Sequence, residues 1–303
     1  ISSTLATIIN LCVTQGYFPV QLKKGCITPV FKKGDKSQIS NYRPVCSLSP
    51  LSKIIEKVIY NRMVKYIDSN NIFSDTQFGF RKKLSTETAL MNFIDYVHEG
   101  LTEKQFVGSI FMDLSKAFDV MSHSILKTKL EHYGFRGEFL NFLMSFLENR
   151  EYFVNVNGLN SSTSTVNIGV PQGSTLGPLL FLLYINDMRH CSTLLKFIQF
   201  ADDTTILMRY KDFQQLKIAL KNETEKVIEW LISNKLIINL SKTHSMLFTL
   251  KRGNYSLEVN VGETMLEEKS VTNFLGIVID NKLNWKAHIT HLCNKISKSI
   301  AIL

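Results

Sequence analysis

Three acidic residues follow apolar runs that are typical of β-strands. Asp202 and Asp203 lie between two such runs, at the tip of an expected hairpin, and Asp113 ends another run, residues 109–112. Two adjacent acids in a turn are ordinary, because Asp tolerates turn geometry. Acids at the ends of two neighbouring strands, however, can converge on one point. Carboxylates held together repel one another unless cations lie between them, and their oxygens suit Mg²⁺.

Such a cluster of carboxylates would support phosphoryl transfer. Two ions about 4 Å apart can clamp both the attacking and the leaving oxygen of an in-line displacement. One ion would lower the pKa of the attacking hydroxyl, and both would neutralise the charge of the transition state. The acids therefore favour a metal-dependent phosphoryl-transfer enzyme.

The composition is that of a globular protein with a basic surface. The chain has 303 residues, 45% of them hydrophobic and 20% charged, enough for one large domain or two ordinary ones. Its 35 Lys and Arg exceed its 26 Asp and Glu, which gives a formal charge of +9. A positive field of this size favours polyanions such as nucleic acid or an acidic membrane face. A merely soluble basic protein is the alternative.

Several protein classes are excluded by the sequence. No apolar run approaches the roughly 18 residues of a membrane span, and the best candidate, Pro178–Ile185, ends at Asn186. The five cysteines are scattered and form no CxxC pair, which argues against disulfides and structural zinc and for a reducing compartment. The first residue is Ile1 and nothing resembles a signal peptide, so we expect an internal piece of a longer chain.

The apolar spacing predicts helices and strands in irregular order. One helix is expected to begin at Ser49-Pro50 and reach Ile67, another to begin near Ser85, and a third to run from Phe213 to about Ser233. Further helices are expected at 122–133, 137–148 and 174–188, and strands at 106–114, 152–156, 165–170, 194–200, 204–208 and 271–279. This order predicts an α+β fold rather than a doubly wound α/β fold.

Seven short motifs, in order, resemble those of reverse transcriptases, and most closely those of the non-LTR (LINE-type, jockey-like) retrotransposon branch. They are Asn41-Tyr42-Arg43-Pro44-Val45, Phe78-Gly79-Phe80-Arg81, residues 111–119 (FMDLSKAFD), Pro171-Gln172-Gly173, Phe200-Ala201-Asp202-Asp203, Leu240-Ser241-Lys242-Thr243 and Asn273-Phe274-Leu275-Gly276.

The resemblance implies the right-hand polymerase fold with only the start of a thumb. It implies a lead-in helix over 1–24, a reverse transcriptase domain over 25–280 with fingers at 25–105 and palm at 106–280, and the thumb start at 281–303.

The resemblance also assigns the acids. Asp113 and Asp202 are expected to hold two Mg²⁺ ions, with Mn²⁺ able to substitute, Asp203 to be a weaker ligand, and the carbonyl of Leu114 to complete one metal shell. Lys242 matches a lysine expected to protonate the leaving pyrophosphate, although a surface lysine is the alternative.

Substrate contacts are implied in the same way. Lys33 and Arg43 are expected at the triphosphate, although Lys32 and Lys36 are equivalent to Lys33 by sequence. Arg81 is expected to contact the template strand or to buttress the fingers. The remaining contacts are Phe118 beneath the incoming sugar, Gln172 and Gly173 at the nucleotide and template, and Phe274, Leu275 and Gly276 in a primer-grip hairpin. For Phe118 a place in the core is the alternative.

The resemblance implies RNA-templated DNA synthesis from deoxynucleoside triphosphates on a DNA primer, typically nicked genomic DNA. It further implies an endonuclease domain in the full-length chain, no membrane partner, and an intracellular protein that acts in the nucleus and travels through the cytoplasm as a ribonucleoprotein. A group II intron-type reverse transcriptase with maturase activity is the first alternative. The second is a nucleic-acid-binding domain that has lost catalysis, against which the complete acid set argues.

Overall fold

The structure is a computed structural model that describes residues 2–300. Ile1 and residues 301–303, which end the expected thumb start, lie outside the described residues. The helices are α1 (Ser2–Thr14), α2 (Pro50–Ser69), α3 (Thr86–Thr102), α4 (Ala117–Val120), α5 (His123–His132), α6 (Gly137–Leu147), α7 (Gly177–Ile185), α8 (Phe213–Ser233) and α9 (Lys286–Ile300). The strands are β1 (Gly25–Phe31), β2 (Tyr42–Ser47), β3 (Phe106–Met112), β4 (Arg150–Val156), β5 (Leu159–Asn160), β6 (Ser164–Val166), β7 (Lys196–Phe200), β8 (Asp203–Tyr210), β9 (His244–Phe248), β10 (Asn260–Val261), β11 (Thr264–Met265), β12 (Glu267–Glu268), β13 (Val271–Phe274) and β14 (Ile277–Asp280).

The chain forms two compact units that alternate along the sequence. The first unit comprises the residues up to Ser74, then 116–187 and 234–236. The second unit comprises 75–115, 188–233 and the residues from Ile237 onwards. These bounds differ from the limits expected for fingers, palm and thumb start, which remain a prediction.

The first unit contains a mixed sheet and the helices α1, α2 and α4 to α7. The strand order is β2-β1-β4-β5, with β6 beside β4, and β1 is antiparallel to β2 but parallel to β4. Helix α7 is apolar on every side and buried throughout residues 179–185, as expected of a helix inside a core. Among the described helices, none has the length and apolar character needed to cross a membrane.

The second unit is built on a sheet with β3 at its centre. The strand order is β12-β9-β3-β8-β7, and β3 is antiparallel to both of its neighbours. All seven residues of β3 are buried, because its two faces are covered by different elements. Phe111 packs against Phe93 of α3 (ring centroids 5.6 Å apart) on one face. On the other face Gly108 leaves room for α8, since a Cβ there would lie 2.7 Å from Leu220.

The structure confirms the α+β class and most of the expected elements. Helices α2, α3 and α8 lie where the apolar spacing predicts them, and Ser85 caps α3 in a capping box with Thr88. Ser49 occupies the N-cap of α2, but its side chain makes no capping hydrogen bond. The β7–β8 hairpin confirms the expected central hairpin.

Two expected strands are shorter or broken. The run 165–170 is a strand only to Val166, because Gly169 has φ +70° and its N–H donates to the carbonyl of Met121 instead of to a strand. The run 271–279 is a hairpin rather than one strand. Leu275 and Gly276 both have positive φ, of 49° and 89°, which turns the chain back between β13 and β14.

A fully buried carboxylate fixes the start of α7. Glu56 of α2 accepts hydrogen bonds from Ser52 Oγ (2.8 Å) and from the backbone N–H groups of Thr175 (2.6 Å) and Leu176 (3.2 Å). Backbone N–H groups near the start of a helix have no acceptor within the helix. The Glu56 carboxylate therefore supplies the hydrogen-bond acceptor for these two groups.

We therefore expect Glu56→Ala to lower the free energy of unfolding by about 1–3 kcal/mol for each buried donor that it leaves unsatisfied. Urea denaturation measures this change. Glu131→Ala, at an exposed position of α5, is the matched control and should change little. Equal stability of both variants would show that Glu56 does not hold α7.

Candidate functional site

The three expected acids lie at one end of the central sheet of the second unit. Met112 of β3 pairs with Thr204 of β8, so Asp113 and Asp203 are the next residues in line on the two strands. Asp202 lies in the turn between β7 and β8, which pairs Phe200 with Asp203. The expectation that acids end two neighbouring strands is thus confirmed by the strand register.

The turn that carries Asp202, here called the acidic turn, comprises residues 200–203. Its two central residues are Ala201 and Asp202, and Ala201 has φ +57°. This left-handed conformation is easy for Gly and costs an L-residue roughly 1–2 kcal/mol. Two-residue hairpin turns need it because it matches the twist of the strands. Ala201 is buried, Asp202 is half-buried and Asp203 is exposed.

Lys242 lies against Asp113. Its Nζ donates to Asp113 Oδ2 at 3.1 Å, with the two side chains 57% and 33% exposed. The adjoining residue Thr243 accepts from the backbone N–H of Asp113 at 3.3 Å. At this exposure the ion pair adds little to stability. It does place an ammonium group beside the acid at the end of β3.

The carbonyl of Leu114 is turned away from segment 237–239. The neighbours of Leu114 make the two hydrogen bonds of an antiparallel bridge, Ser115 N–H to Ile237 O (2.7 Å) and Asn239 N–H to Asp113 O (2.8 Å). In this pattern the bridging residue itself points its carbonyl away from the partner segment. The Leu114 oxygen is therefore not used by this bridge.

The donors at this end of the sheet suit a hard divalent cation. Carboxylate and carbonyl oxygens are the ligands that Mg²⁺ and similar ions prefer, so the chemistry of Asp113, Leu114, Asp202 and Asp203 fits such an ion. Within residues 2–300, no group of three or more His, Cys, Asp or Glu is already arranged to hold a metal. A cation at Asp113 would compete with the Lys242 ammonium.

The expected primer-grip residues form the tip of the β13–β14 hairpin. Phe274 is buried, and its ring lies 4.9 Å from that of Phe93 and 5.5 Å from that of Phe111. Leu275 packs partly against the same core, and Gly276 is exposed. The side chain of Phe274 therefore anchors the hairpin in the core. Any nucleic-acid contact would be made by the turn residues Leu275 and Gly276.

Arg81 belongs to the second unit as well. Its Nη1 donates to the carbonyl of Gln77 at 3.1 Å, and the side chain is half-buried. This hydrogen bond ties the Arg81 side chain to the backbone of Gln77, four residues earlier in the chain. A template contact for Arg81 stays a prediction.

The first unit holds the expected nucleotide-binding loop. Gln172 Nε2 donates to Asp119 Oδ1 at 2.6 Å, and its backbone carbonyl accepts from Cys46 N–H at 2.8 Å. Gly173 has φ +127°, and a Cβ there would lie 2.3 Å from the Cys46 carbonyl, so only glycine fits. No chemical role for Asp119 follows from its sequence position, and the structure shows that it orients the Gln172 amide.

Phe118 is half-buried, and its ring stacks on that of Phe181 with centroids 4.3 Å apart. Part of the side chain is thus core, as the alternative interpretation requires. The other part remains exposed.

Two expected triphosphate-binding cations lie on the β1–β2 hairpin of the first unit. Arg43 pairs with Val30 across the hairpin and is exposed, and Lys33 follows the end of β1 and is exposed too. Both side chains are therefore accessible to an anionic ligand, with which they can form charge-assisted hydrogen bonds.

A buried histidine makes the second unit sensitive to pH. His244 of β9 stacks on Phe111 (centroids 5.0 Å apart), and its Nε2 lies 2.7 Å from Thr272 Oγ1. Burial is the main cause that lowers the pKa of His244 from its ordinary value of 6.5. The unfolded chain therefore takes up a proton at a pH where the folded protein does not.

Because of this difference, the free energy of unfolding should be constant above about pH 6.5 and fall below it, by up to about 1.4 kcal/mol per pH unit from this group. We expect His244→Gln to make that fall shallower, as measured by urea denaturation between pH 5 and 8. The exposed His190→Gln is the control and should keep the wild-type slope. A wild-type slope in His244→Gln would contradict this account.

Comparison with known proteins agrees with this fold. The structure is similar to that of apo telomerase from Candida tropicalis, with a TM-score of 0.58 at 14% identity over 88% of this chain and 49% of that chain. This likeness shows the fold, which is the right-hand polymerase fold. The sequence matches the family model "Reverse transcriptase (RNA-dependent DNA polymerase)" over residues 30–279. The chain belongs to the reverse transcriptase family.

Relatives in sequence come from mobile elements. The chain is 29% identical over 302 residues to a probable RNA-directed DNA polymerase from transposon X-element of Drosophila melanogaster. It is also 29% identical over 305 residues to the RNA-directed DNA polymerase from mobile element jockey of the same species. Each match covers 98% of this chain and 33% of the relative. The chain thus spans a third of the length of these relatives, and the expected resemblance to the non-LTR branch is confirmed. Reverse transcriptases in general depend on divalent metal ions.

Proposed function

We propose that this chain catalyses RNA-templated DNA synthesis in a non-LTR retrotransposon protein, using Mg²⁺. The observation that carries the proposal is the register of β3 and β8, which brings Asp113 and Asp203 to one sheet end beside Asp202. The family and the mobile-element relatives support the choice of polymerisation over other phosphoryl transfers.

The proposed reaction joins a deoxynucleotide to a primer. The primer 3′-oxygen forms a bond to the α-phosphorus of a deoxynucleoside triphosphate, and the bond from that phosphorus to the bridging oxygen of the β-phosphate breaks. The hydroxyl proton is lost to solvent, and pyrophosphate leaves. Divalent ions held by carboxylates would lower the pKa of the hydroxyl and stabilise the charge of the transition state.

The residues of the second unit take distinct roles in this proposal. Asp113 and Asp202 hold Mg²⁺, with Asp203 as a weaker ligand and the carbonyl of Leu114 as a further oxygen donor. Lys242 is already beside Asp113, at 3.1 Å, and its ammonium group can donate a proton to the leaving pyrophosphate. The tip of the β13–β14 hairpin contacts the primer, and Arg81 the template.

In the first unit, Arg43 and Lys33 bind the triphosphate, and Gln172 and Gly173 contact the nucleotide and template. Gln172 is suited to this because Asp119 fixes its Nε2, which leaves the amide oxygen with a defined direction. Phe118 selects the sugar by excluding a 2′-hydroxyl.

The proposed partners are an RNA template, a DNA primer and an endonuclease domain in the full-length protein. The formal charge of +9 supports binding to nucleic acid. Together with the mobile-element relatives it supports action on nicked genomic DNA in the nucleus, after passage through the cytoplasm with the RNA.

Asp113→Asn and Asp202→Asn test the metal site. Each variant keeps the side-chain shape but removes a charge that would hold Mg²⁺. We expect primer extension on poly(rA)/oligo(dT) by the full-length protein to fall by orders of magnitude, while template–primer binding survives. Asp95→Asn, at an exposed position of α3, is the matched control and should extend normally.

Near-normal extension by either variant would contradict the assignment of its acid. A wild-type protein that binds template–primer but never extends it would favour the alternative of a nucleic-acid-binding domain without catalysis.

Phe118→Ala tests sugar selection. If the exposed part of the ring excludes a 2′-hydroxyl, kcat/KM for UTP opposite rA should rise relative to that for dTTP. The ring also stacks on Phe181, so we expect a loss of stability within the roughly 3–5 kcal/mol of a Phe→Ala change in a core. Phe139→Ala, at another half-buried ring of the first unit, controls for stability. An unaltered dTTP/UTP ratio in Phe118→Ala would leave the residue with a core role alone.

A further inference from the structure

Gln77 is absent from the roles proposed above, yet it is hydrogen-bonded to the acidic turn. Segment 76–79 runs beside β7, with Gln77 in a parallel bridge to Gln199. Gln199 N–H donates to the carbonyl of Thr76 (2.9 Å), and Phe78 N–H donates to the carbonyl of Gln199 (2.8 Å). The segment is thereby fastened to the strand that leads into the acidic turn.

The side chain of Gln77 extends this support to the turn itself. Gln77 is 1% exposed, and its Oε1 accepts from the N–H of Ala201 at 3.1 Å and from the N–H of Gly79 at 2.8 Å. Two donors face one oxygen, so the amide can hold them in this orientation only. One of these donors belongs to the residue at φ +57° on which the turn depends.

Gly79 shows how closely the two segments approach. A Cβ at Gly79 would lie 2.4 Å from the Ala201 nitrogen, a distance that the backbone would have to relieve by moving. The close approach and the shared acceptor therefore act on the same peptide of the acidic turn.

Of the two polar atoms of the Gln77 side chain, only the oxygen makes hydrogen bonds to the described residues. Its Nε2 is buried and, among the residues that the structure describes, has no hydrogen-bond partner. An unsatisfied buried donor costs free energy. A residue chosen for packing alone would not carry that cost, so the acceptor oxygen explains the presence of an amide here.

We infer that Gln77 is a positioning residue for the polymerase reaction: its Oε1 holds the acidic turn in the strained conformation that presents Asp202. The inference rests on the function proposed above. Strain of this kind persists where the surrounding structure imposes it, and here the hydrogen bond to the Ala201 N–H and the close approach of Gly79 do so.

Three substitutions in the full-length protein separate positioning from packing. Gln77→Met keeps the length of the side chain but removes the acceptor, and Gln77→Glu restores an acceptor oxygen. Gln199→Met is the matched control, because Gln199 is equally buried but its side chain contacts Thr76 Oγ1 and Met188 Sδ instead of the turn. Amide hydrogen exchange of residues 200–204 reports on the turn. Three kinetic quantities report on the role of the turn in catalysis. They are the Mg²⁺ concentration for half-maximal primer extension, kcat, and the KM for dTTP.

We expect Gln77→Met to speed exchange in the acidic turn by about tenfold relative to the rest of the sheet. It should also raise the half-maximal Mg²⁺ concentration and lower kcat with little change in the KM for dTTP. Gln77→Glu should restore slow exchange. Gln199→Met should keep the wild-type Mg²⁺ dependence even if its melting temperature falls.

Unchanged exchange in Gln77→Met, or a failure of Gln77→Glu to restore it, would overturn the inference. So would a Mg²⁺ dependence in Gln77→Met equal to that of Gln199→Met. Lack of extension by the wild type would instead contradict the proposed function, and the exchange rates would still decide whether Gln77 holds the turn.

Discussion

The antiparallel pairing of β3 with β8 is the constraint on which the candidate site depends. β3 is buried on both faces, with Phe111 against α3 and Gly108 against α8. A slip of one residue would exchange these faces, so that the small residue and the large ring would each meet the wrong helix. The core therefore locks the register that sets Asp113 level with Asp203. Packing of apolar side chains thus determines where the charged ones lie.

Polar contacts then hold the loops that the core does not reach. In the first unit Glu56 holds the start of α7, and Asp119 holds the amide of Gln172. In the second unit Gln77 plays the same part for the acidic turn. Each of these side chains is at least partly buried and bonds to a loop distant in sequence. A low dielectric strengthens such hydrogen bonds, so they can hold loops of polar composition.

Much of the fold could be predicted from the sequence, because long helices and buried strands have a clear apolar spacing. The β1–β2 hairpin could not, since Pro29 and Pro44 lie opposite each other in it and proline argues against a strand. The acids could be found because they follow apolar runs typical of neighbouring strands, and the resemblance of their motifs to those of a known family gave them roles. The residues that hold the site loops could not be found in this way. The contacts Gln77–Ala201 and Gln172–Asp119 join residues 124 and 53 positions apart, and no local sequence pattern records them.

We propose that the carboxylates at the end of β3 and β8 hold the divalent ions of a polymerase. A crystal structure of the full-length protein with template–primer, an incoming dNTP and Mn²⁺ tests it most directly, because the anomalous scattering of manganese locates the metal. We expect anomalous peaks within bonding distance of the carboxylate oxygens of Asp113 and Asp202. Peaks bound only elsewhere, in crystals whose template–primer and nucleotide are fully ordered, would contradict it.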